Sequence, residues 1–307
     1  MSNYDYDMII IGGGAAGLTV AAGAAQLGAK TALIEKDRLG GDCLFYGCVP
    51  SKTLIKSAKV YHYARHLEKF GLPRTDIPPC DLKAVMSHVQ GVIAQVAVHD
   101  SVERFESLGV EVIFGNPEFV SDHEVDVAGK TLSSSHFTIA TGSRPMVIPI
   151  EGVHQTGFIT NVETFSLETL PARLAVLGAG PIGAELAHAF VRLGSQVTLI
   201  DVLDYPLNFE DHDMAEIVVK QMVSDGITLR MGSKANKAFK EGHEKVLVIE
   251  DKDGKEEAIR CDEILLATGR RPNIEGLSLE VAGVNYTNKG IETDQRMRTN
   301  KKHIYAA

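Results

Sequence analysis

One glycine-rich turn is written twice in this chain, and the two copies are in register. Gly12, Gly14 and Gly17 follow the apolar run Met8–Ile11, and Gly178, Gly180 and Gly183 follow Leu174–Leu177, 166 positions later. At the same offset Leu27, Gly28 and Glu35 recur as Leu193, Gly194 and Asp201. A short apolar run that ends in glycines reads as a strand of a buried parallel sheet. The alanine-rich stretches Leu18–Leu27 and Ala184–Leu193 read as helices, and Thr31–Ile34 and Val197–Ile200 as second strands, each ending on an acid. Agreement at so many positions argues for two homologous domains.

A glycine turn between strand and helix lets the backbone approach a pyrophosphate, and the helix start offers it free N–H groups. The acid at the end of the second strand can accept hydrogen bonds from ribose hydroxyls. A single glycine motif of this kind is weak, but here each copy follows a strand, opens a helix and reaches an acid at the expected distance. Gly12, Gly14, Ala15, Ala16, Gly17, Glu35 and Lys36 are expected to hold one nucleotide. Gly178, Gly180, Pro181, Ile182, Gly183 and Asp201 are expected to hold another.

A second repeat marks the boundaries. Ala140-Thr141-Gly142 and Ala267-Thr268-Gly269 each follow an apolar strand and lead into a proline-bearing exit. They read as crossovers between domains and as further nucleotide contacts. The expected fold is α/β, with two Rossmann-like three-layer domains, the second inserted in the first. The first covers residues 1–150, the second 151–275, and residues 276–307 begin a return to the first. Between them the pattern predicts helices over Ser51–Lys69 and Leu82–Leu108, and strands at Val110–Phe114, Glu124–Val127 and His136–Ala140. It also predicts a helix over Met214–Asp225 and a hairpin of Lys245–Glu250 with Glu257–Arg260.

Cys43 and Cys48 lie directly behind the first nucleotide unit, in Gly40-Gly41-Asp42-Cys43-Leu44-Phe45-Tyr46-Gly47-Cys48-Val49-Pro50-Ser51-Lys52. Five residues of regular helix rise roughly 7.5 Å, whereas a disulfide needs Cα atoms roughly 4.4–6.8 Å apart. A disulfide here requires a distorted segment, which Gly47 makes easier. Cys43, Cys48, His62 and His66 also approach a zinc-finger spacing. Such a finger is an autonomous module, and this stretch is tied to a dinucleotide fold, so no metal is expected. Cys261 reads as a small core residue, and Cys80 falls in a loop with no assigned role. Two nucleotide sites and one cysteine pair suggest electrons moving from a nicotinamide through a flavin to a disulfide. FAD is placed at the first unit, next to the cysteines, and NAD(H) at the second. Asp201 would repel a 2′-phosphate, which disfavours NADP(H).

With these motifs in view, the chain resembles the class I pyridine nucleotide–disulfide oxidoreductases, the family of dihydrolipoamide dehydrogenase, glutathione reductase and mercuric reductase. The resemblance implies an FAD-dependent NAD(P)H:disulfide oxidoreductase. It implies that Cys48 lies against the flavin, that Cys43 exchanges with substrate, and that Lys52 sits near the flavin and pairs with Glu185. Gly41 and Asp42 are expected among the FAD contacts. The chain departs from dihydrolipoamide dehydrogenases at Asp42, Phe45 and Tyr46, where Thr, Asn and Val are common, and at Pro181. It ends at Ala307, before the Gly-Asp and the C-terminal dimerisation domain found in relatives, which brings a His-Glu pair to the partner's site. The expectation is therefore a fragment whose full-length form is a homodimer. Alternatives are a flavoprotein reducing quinones or metals with NADH, or a nucleotide-binding fragment without turnover.

Composition narrows the partners. A net charge of -9 argues against nonspecific nucleic-acid binding. Four cysteines are too few for a secreted disulfide scaffold. The acidic start Asp5-Tyr6-Asp7 is unlike a signal peptide. Met8–Ala29 carries no charge, yet it is better explained by strand, turn and helix than by a membrane span. The expected setting is the cytoplasm and the expected partner a small-molecule disulfide or other electron acceptor.

Overall fold

A computed structural model of the chain describes residues 4–307. The fold is mixed α/β, and the chain divides into two compact units. One is formed by Met1–Gly47, Ile93–Arg144 and Arg270–Ala307, the other by Cys48–Val92 and Pro145–Gly269.

The first unit is built on a seven-stranded sheet. Val110–Phe114, Thr31–Glu35, Tyr6–Ile11 and the second half of Lys130–Ile139 run parallel in that order, and Ile304–Ala306 adds a further parallel strand beside Lys130–Ile139. The first half of Lys130–Ile139 pairs antiparallel with Glu124–Val127, which pairs with Pro117–Phe119. One ten-residue strand thus serves both a meander and the parallel core. Successive side chains alternate faces. Ile10 and Leu33 pack with Leu18 and Ala21 of the helix Ala15–Gln26 and with Phe105. Ile9, Ile11, Ala32 and Ile34 pack on the opposite face with Phe119, Phe137, Leu279 and Ile304. Both faces are covered, which is why these strands read as unbroken apolar runs.

The second unit has a four-stranded parallel sheet ordered Thr228–Arg230, Gln196–Ile200, Arg173–Leu177, Glu263–Leu266. A three-stranded antiparallel meander, Lys234–Glu241, Glu244–Glu250 and Glu256–Cys261, packs Ala235, Ala238, Leu247 and Ile249 with Ala175, Leu177 and Ile264. Cys261 is buried in the same core. Helices Pro181–Leu193 and His212–Ser224 belong to this unit, as does Cys48–Ala64.

Several elements differ from the sequence expectation. The predicted helix over Leu82–Leu108 is broken. Leu82–Ala97 is helical, Val98–Asp100 forms a tight turn, and Ser101 turns extended before the short helix Val102–Ser107. Ser101 Oγ accepts the Arg104 N–H at 3.3 Å, and this cap competes with continued helix. The helix Cys48–Ala64 starts earlier than expected, with Pro50 tolerated in its first turn. It ends before His66, so His62 and His66 do not share one helix, although their rings lie 4.4 Å apart. The strand Lys234–Glu241 was not anticipated. A register shift between Ala235 and Lys237 puts the buried residues Ala235 and Ala238 three apart and hides the period of two.

Candidate active site and nucleotide cradles

The first glycine turn is closed by close backbone approach. Gly12 has φ 109°, and a Cβ there would lie 2.3 Å from the Ala140 carbonyl oxygen. A Cβ on Gly17 would lie 1.8 Å from the Gly12 carbonyl. Gly14 is different, because its Cβ would meet nothing nearer than the Gly41 Cα at 3.9 Å. Gly14 is the N-cap of Ala15–Gln26, with no side-chain cap and no acid in the first turn, Ala15 and Ala16 included. The helix start is therefore uncapped by its own side chains and offers donors and a positive dipole end. Glu35 Oε2 accepts the Gly13 N–H at 2.6 Å, and Oε1 accepts the Asp37 N–H at 2.9 Å. Lys36 is exposed beside it. Ala140 donates to the Ile11 carbonyl at 2.7 Å, and the Thr141 hydroxyl donates to the Asn273 carbonyl at 2.6 Å. The Gly142 carbonyl accepts the Asn273 N–H at 2.9 Å.

The second turn repeats this design. A Cβ on Gly178 (φ 99°) would lie 2.2 Å from the Ala267 carbonyl oxygen, and one on Gly183 1.8 Å from the Gly178 carbonyl. A Cβ on Gly180 would meet nothing within 4 Å. Gly180 caps the helix that Pro181 and Ile182 open, again with no acid in the first turn. Proline suits that position because its missing N–H would be unpaired in any case. Asp201 Oδ2 accepts the Ala179 N–H at 2.6 Å and Oδ1 accepts the Leu203 N–H at 2.8 Å. The Thr268 hydroxyl donates to the Met146 carbonyl at 2.8 Å, and Gly269 takes φ 119°. In both turns the outer glycines are closed off; a Cβ on Gly180 would meet open space and one on Gly14 only ordinary contact with the Gly41 Cα, so a side chain at either would fill the cradle. Both fit a pyrophosphate.

The cysteines sit on two helices. Gly41–Phe45 carries half-buried Cys43 and ends at Tyr46, whose φ of -136° and ψ of 0° are not helical. The next helix begins at Cys48, which is exposed. A Cβ on Gly47 would lie 3.0 Å from the Asp42 carbonyl oxygen and 3.2 Å from the Cys43 Cα, so only glycine fits this turn without a shift. Two arginines close on the stretch that no motif announced. Arg270 Nη2 lies 3.0 Å from Asp42 Oδ1, and the Arg38 guanidinium lies 3.6 Å from the Phe45 ring centre.

Lys52 Nζ lies 2.8 Å from both Glu185 oxygens. Glu185 and Pro181 also line a cavity of about 300 Å³ with Ile55, His188, Arg192 and Leu207. Beyond them is an acid the sequence did not single out. The Asp225 side chain is 4 % exposed and accepts from His188 Nε2 at 2.7 Å, Arg192 Nε at 2.7 Å and Gln221 Nε2 at 2.6 Å. Burial pushes its carboxyl up, but these hydrogen bonds outweigh it and hold the group at about 2. His188 is nevertheless below its ordinary value, because burial outweighs its bond to Asp225. It is the neutral ring that meets the carboxylate near neutral pH.

Asp122, His123 and His303 place possible ligand atoms within 4.8 Å of one another. The two rings stack at 4.0 Å with planes 14° apart, so their in-plane lone pairs run side by side and do not converge. Lys301 Nζ already stands 3.7 Å from the Asp122 carboxylate. No metal role is assigned to them. Among the described residues no helix is long and apolar enough to cross a membrane.

The sequence matches the pyridine nucleotide-disulphide oxidoreductase family over residues 6–307. It is 34 % identical over 304 residues to a mercuric reductase of Staphylococcus aureus, covering 99 % of this chain and 55 % of that protein. It is 34 % identical over 306 residues to a dihydrolipoyl dehydrogenase of Bacillus subtilis (strain 168), covering 97 % and 66 %. The Cu(II) complex of the HOCl-induced flavoprotein disulfide reductase RclA from Escherichia coli superposes with a TM-score of 0.84 at 26 % identity, over 100 % of this chain and 66 % of that one. The chain thus spans about half to two thirds of the length of these relatives.

Proposed function

Because the chain belongs to the pyridine nucleotide-disulphide oxidoreductase family, we propose that it carries the nucleotide- and disulfide-handling part of an NAD(H)-dependent disulfide oxidoreductase. Family members use FAD and a pyridine nucleotide. Here FAD would be held by Gly12, Gly14, Ala15, Ala16, Gly17, Glu35 and Ala140–Gly142, within the domain spanning 1–150. NAD(H) would be held by Gly178, Gly180–Gly183, Asp201 and Ala267–Gly269, within 151–275. The observation that carries this reading is the doubled cradle: two uncapped helix starts, each behind a glycine whose Cβ would meet nothing closer than 3.9 Å.

FAD, when bound, supplies the two-electron relay between nicotinamide and disulfide. Cys43 and Cys48 stand as reduced cysteines in the structure. In the oxidised form their S–S bond would open on accepting two electrons and one proton, leaving Cys43 as the thiol and Cys48 as the thiolate. The reduced pair returns these electrons to an acceptor by thiol–disulfide exchange, with Cys43 attacking first. Lys52, paired with Glu185, would supply a positive charge near the flavin, as the family resemblance implies. A small-molecule disulfide is the proposed acceptor. The mercuric reductase relatives make a metal ion the competing one. The proposed setting is the cytoplasm, and the proposed assembly a homodimer.

The test is an absorption spectrum of the purified chain with FAD, before and after anaerobic NADH, followed by an acceptor panel. A flavin spectrum that gains a long-wavelength thiolate-to-flavin band on NADH addition supports the reading. A chain that takes up neither nucleotide overturns it.

A further inference from the structure

We infer that Arg270 is a positioning residue for Cys43, acting through Asp42 as both a brace for the redox turn and a balance to its charge. Asp42 immediately precedes Cys43 on the helix Gly41–Phe45. Its Oδ1 lies 3.0 Å from Arg270 Nη2, with the two side chains 39 % and 26 % exposed. The same guanidinium is locked from behind, because Nε donates to Ser143 Oγ at 2.8 Å and Nη2 donates to the Ser143 carbonyl at 2.7 Å. A planar fork held by three contacts fixes the direction of its charge, which a lysine could not reproduce.

Asp42 in turn holds the break between the cysteines. Its carbonyl accepts the Tyr46 N–H at 2.8 Å, and its Oδ2 lies 3.2 Å from where a Gly47 Cβ would stand. The ion pair therefore anchors the side chain of the residue whose carbonyl closes the Cys43 helix. On the other side, Arg38 Nη2 donates to the Tyr46 hydroxyl at 2.9 Å while its guanidinium covers Phe45.

The electrostatic consequence follows from sequence adjacency. The thiolate is the reactive form of a cysteine, and a neighbouring carboxylate disfavours it. With Arg270 in place the Asp42 charge is balanced. Without Arg270 it opposes a Cys43 thiolate, and without Asp42 the arginine favours one. This inference rests on Cys43 as the outer, substrate-facing thiol.

The test is the rate of Cys43 alkylation by iodoacetamide at neutral pH, read by peptide mass spectrometry. It uses the reduced full chain carrying Cys48→Ser. The expected result is about threefold slowing by Arg270→Gln, about threefold acceleration by Asp42→Asn, and return to the parent rate in the double variant. A double variant as slow as Arg270→Gln, or no acceleration by Asp42→Asn, overturns the inference. If Arg270→Gln does not fold, Asp42→Asn alone decides, because acceleration is required of it. Alkylation needs neither nucleotide nor turnover. The charge balance can therefore hold in a chain without NADH-dependent activity, or fail in one that has it.

Discussion

Lys52 and Glu185 meet across 133 residues, with Nζ at 2.8 Å from both carboxylate oxygens. Their side chains are 60 % and 38 % exposed, so the pair contributes only about 0–1 kcal/mol to stability. Its proposed work is to hold a charge. Glu185→Gln is expected to leave the melting temperature nearly unchanged and to slow NADH-driven reduction of added FAD about tenfold in stopped-flow traces. A large drop in melting temperature with an unchanged rate would make the pair structural.

The glycines of the second turn should separate folding from binding. Gly178→Ala forces a side chain into φ 99° against the Ala267 carbonyl and should cost more than about 1 kcal/mol in urea unfolding. Gly180 has φ -71° and no neighbour within 4 Å of its Cβ position. Gly180→Val should keep stability within about 1 kcal/mol and weaken NADH binding by tenfold or more in calorimetry, since the side chain fills the cradle. Equal NADH affinity in Gly180→Val and the parent would remove the nucleotide from this turn.

Asp225 should shape the acid limb of the stability curve. Its carboxyl is held at about 2, below the ordinary value of 3.8. Its stabilising contribution, about 2 kcal/mol, is full above the unfolded value and is lost as pH falls through the folded one. Asp225→Asn should destabilise at neutral pH, leaving the Arg192 charge without its carboxylate. It should also flatten the fall in stability between about pH 4 and 2. A parallel fall in variant and parent would show that Asp225 does not carry this limb.

Gly47→Ala should disturb the redox turn from within. Its Cβ would press on the Asp42 carbonyl and the Cys43 Cα, at 3.0 and 3.2 Å. The expected outcome is slower re-formation of the Cys43–Cys48 disulfide after reduction, measured by thiol titration, with helix content unchanged by circular dichroism. Re-formation at the parent rate would show that the turn gives way without effect.

Most of the architecture was legible because it is local and repetitive. The strand–turn–helix pattern needs only a few consecutive residues, and its recurrence 166 positions on identified it. Legibility failed where a local device interrupted a period. The Ser101 cap split one expected helix, and the shift at Ala235 and Lys237 concealed a strand. The pairing of Lys52 with Glu185 was expected only from family resemblance, since nothing in either residue's neighbourhood names the other.

The sequence by itself determined where two glycine turns between strand and helix can form, because close backbone approach admits only glycine, and that requirement is written residue by residue. Tertiary structure alone decided which charges meet one another. Asp42 is balanced by Arg270, and Asp225 is buried among His188, Arg192 and Gln221. An arginine or aspartate in a sequence looks the same whether it is solvated or paired. Only the fold, by bringing distant segments together, removes the water and selects the partner.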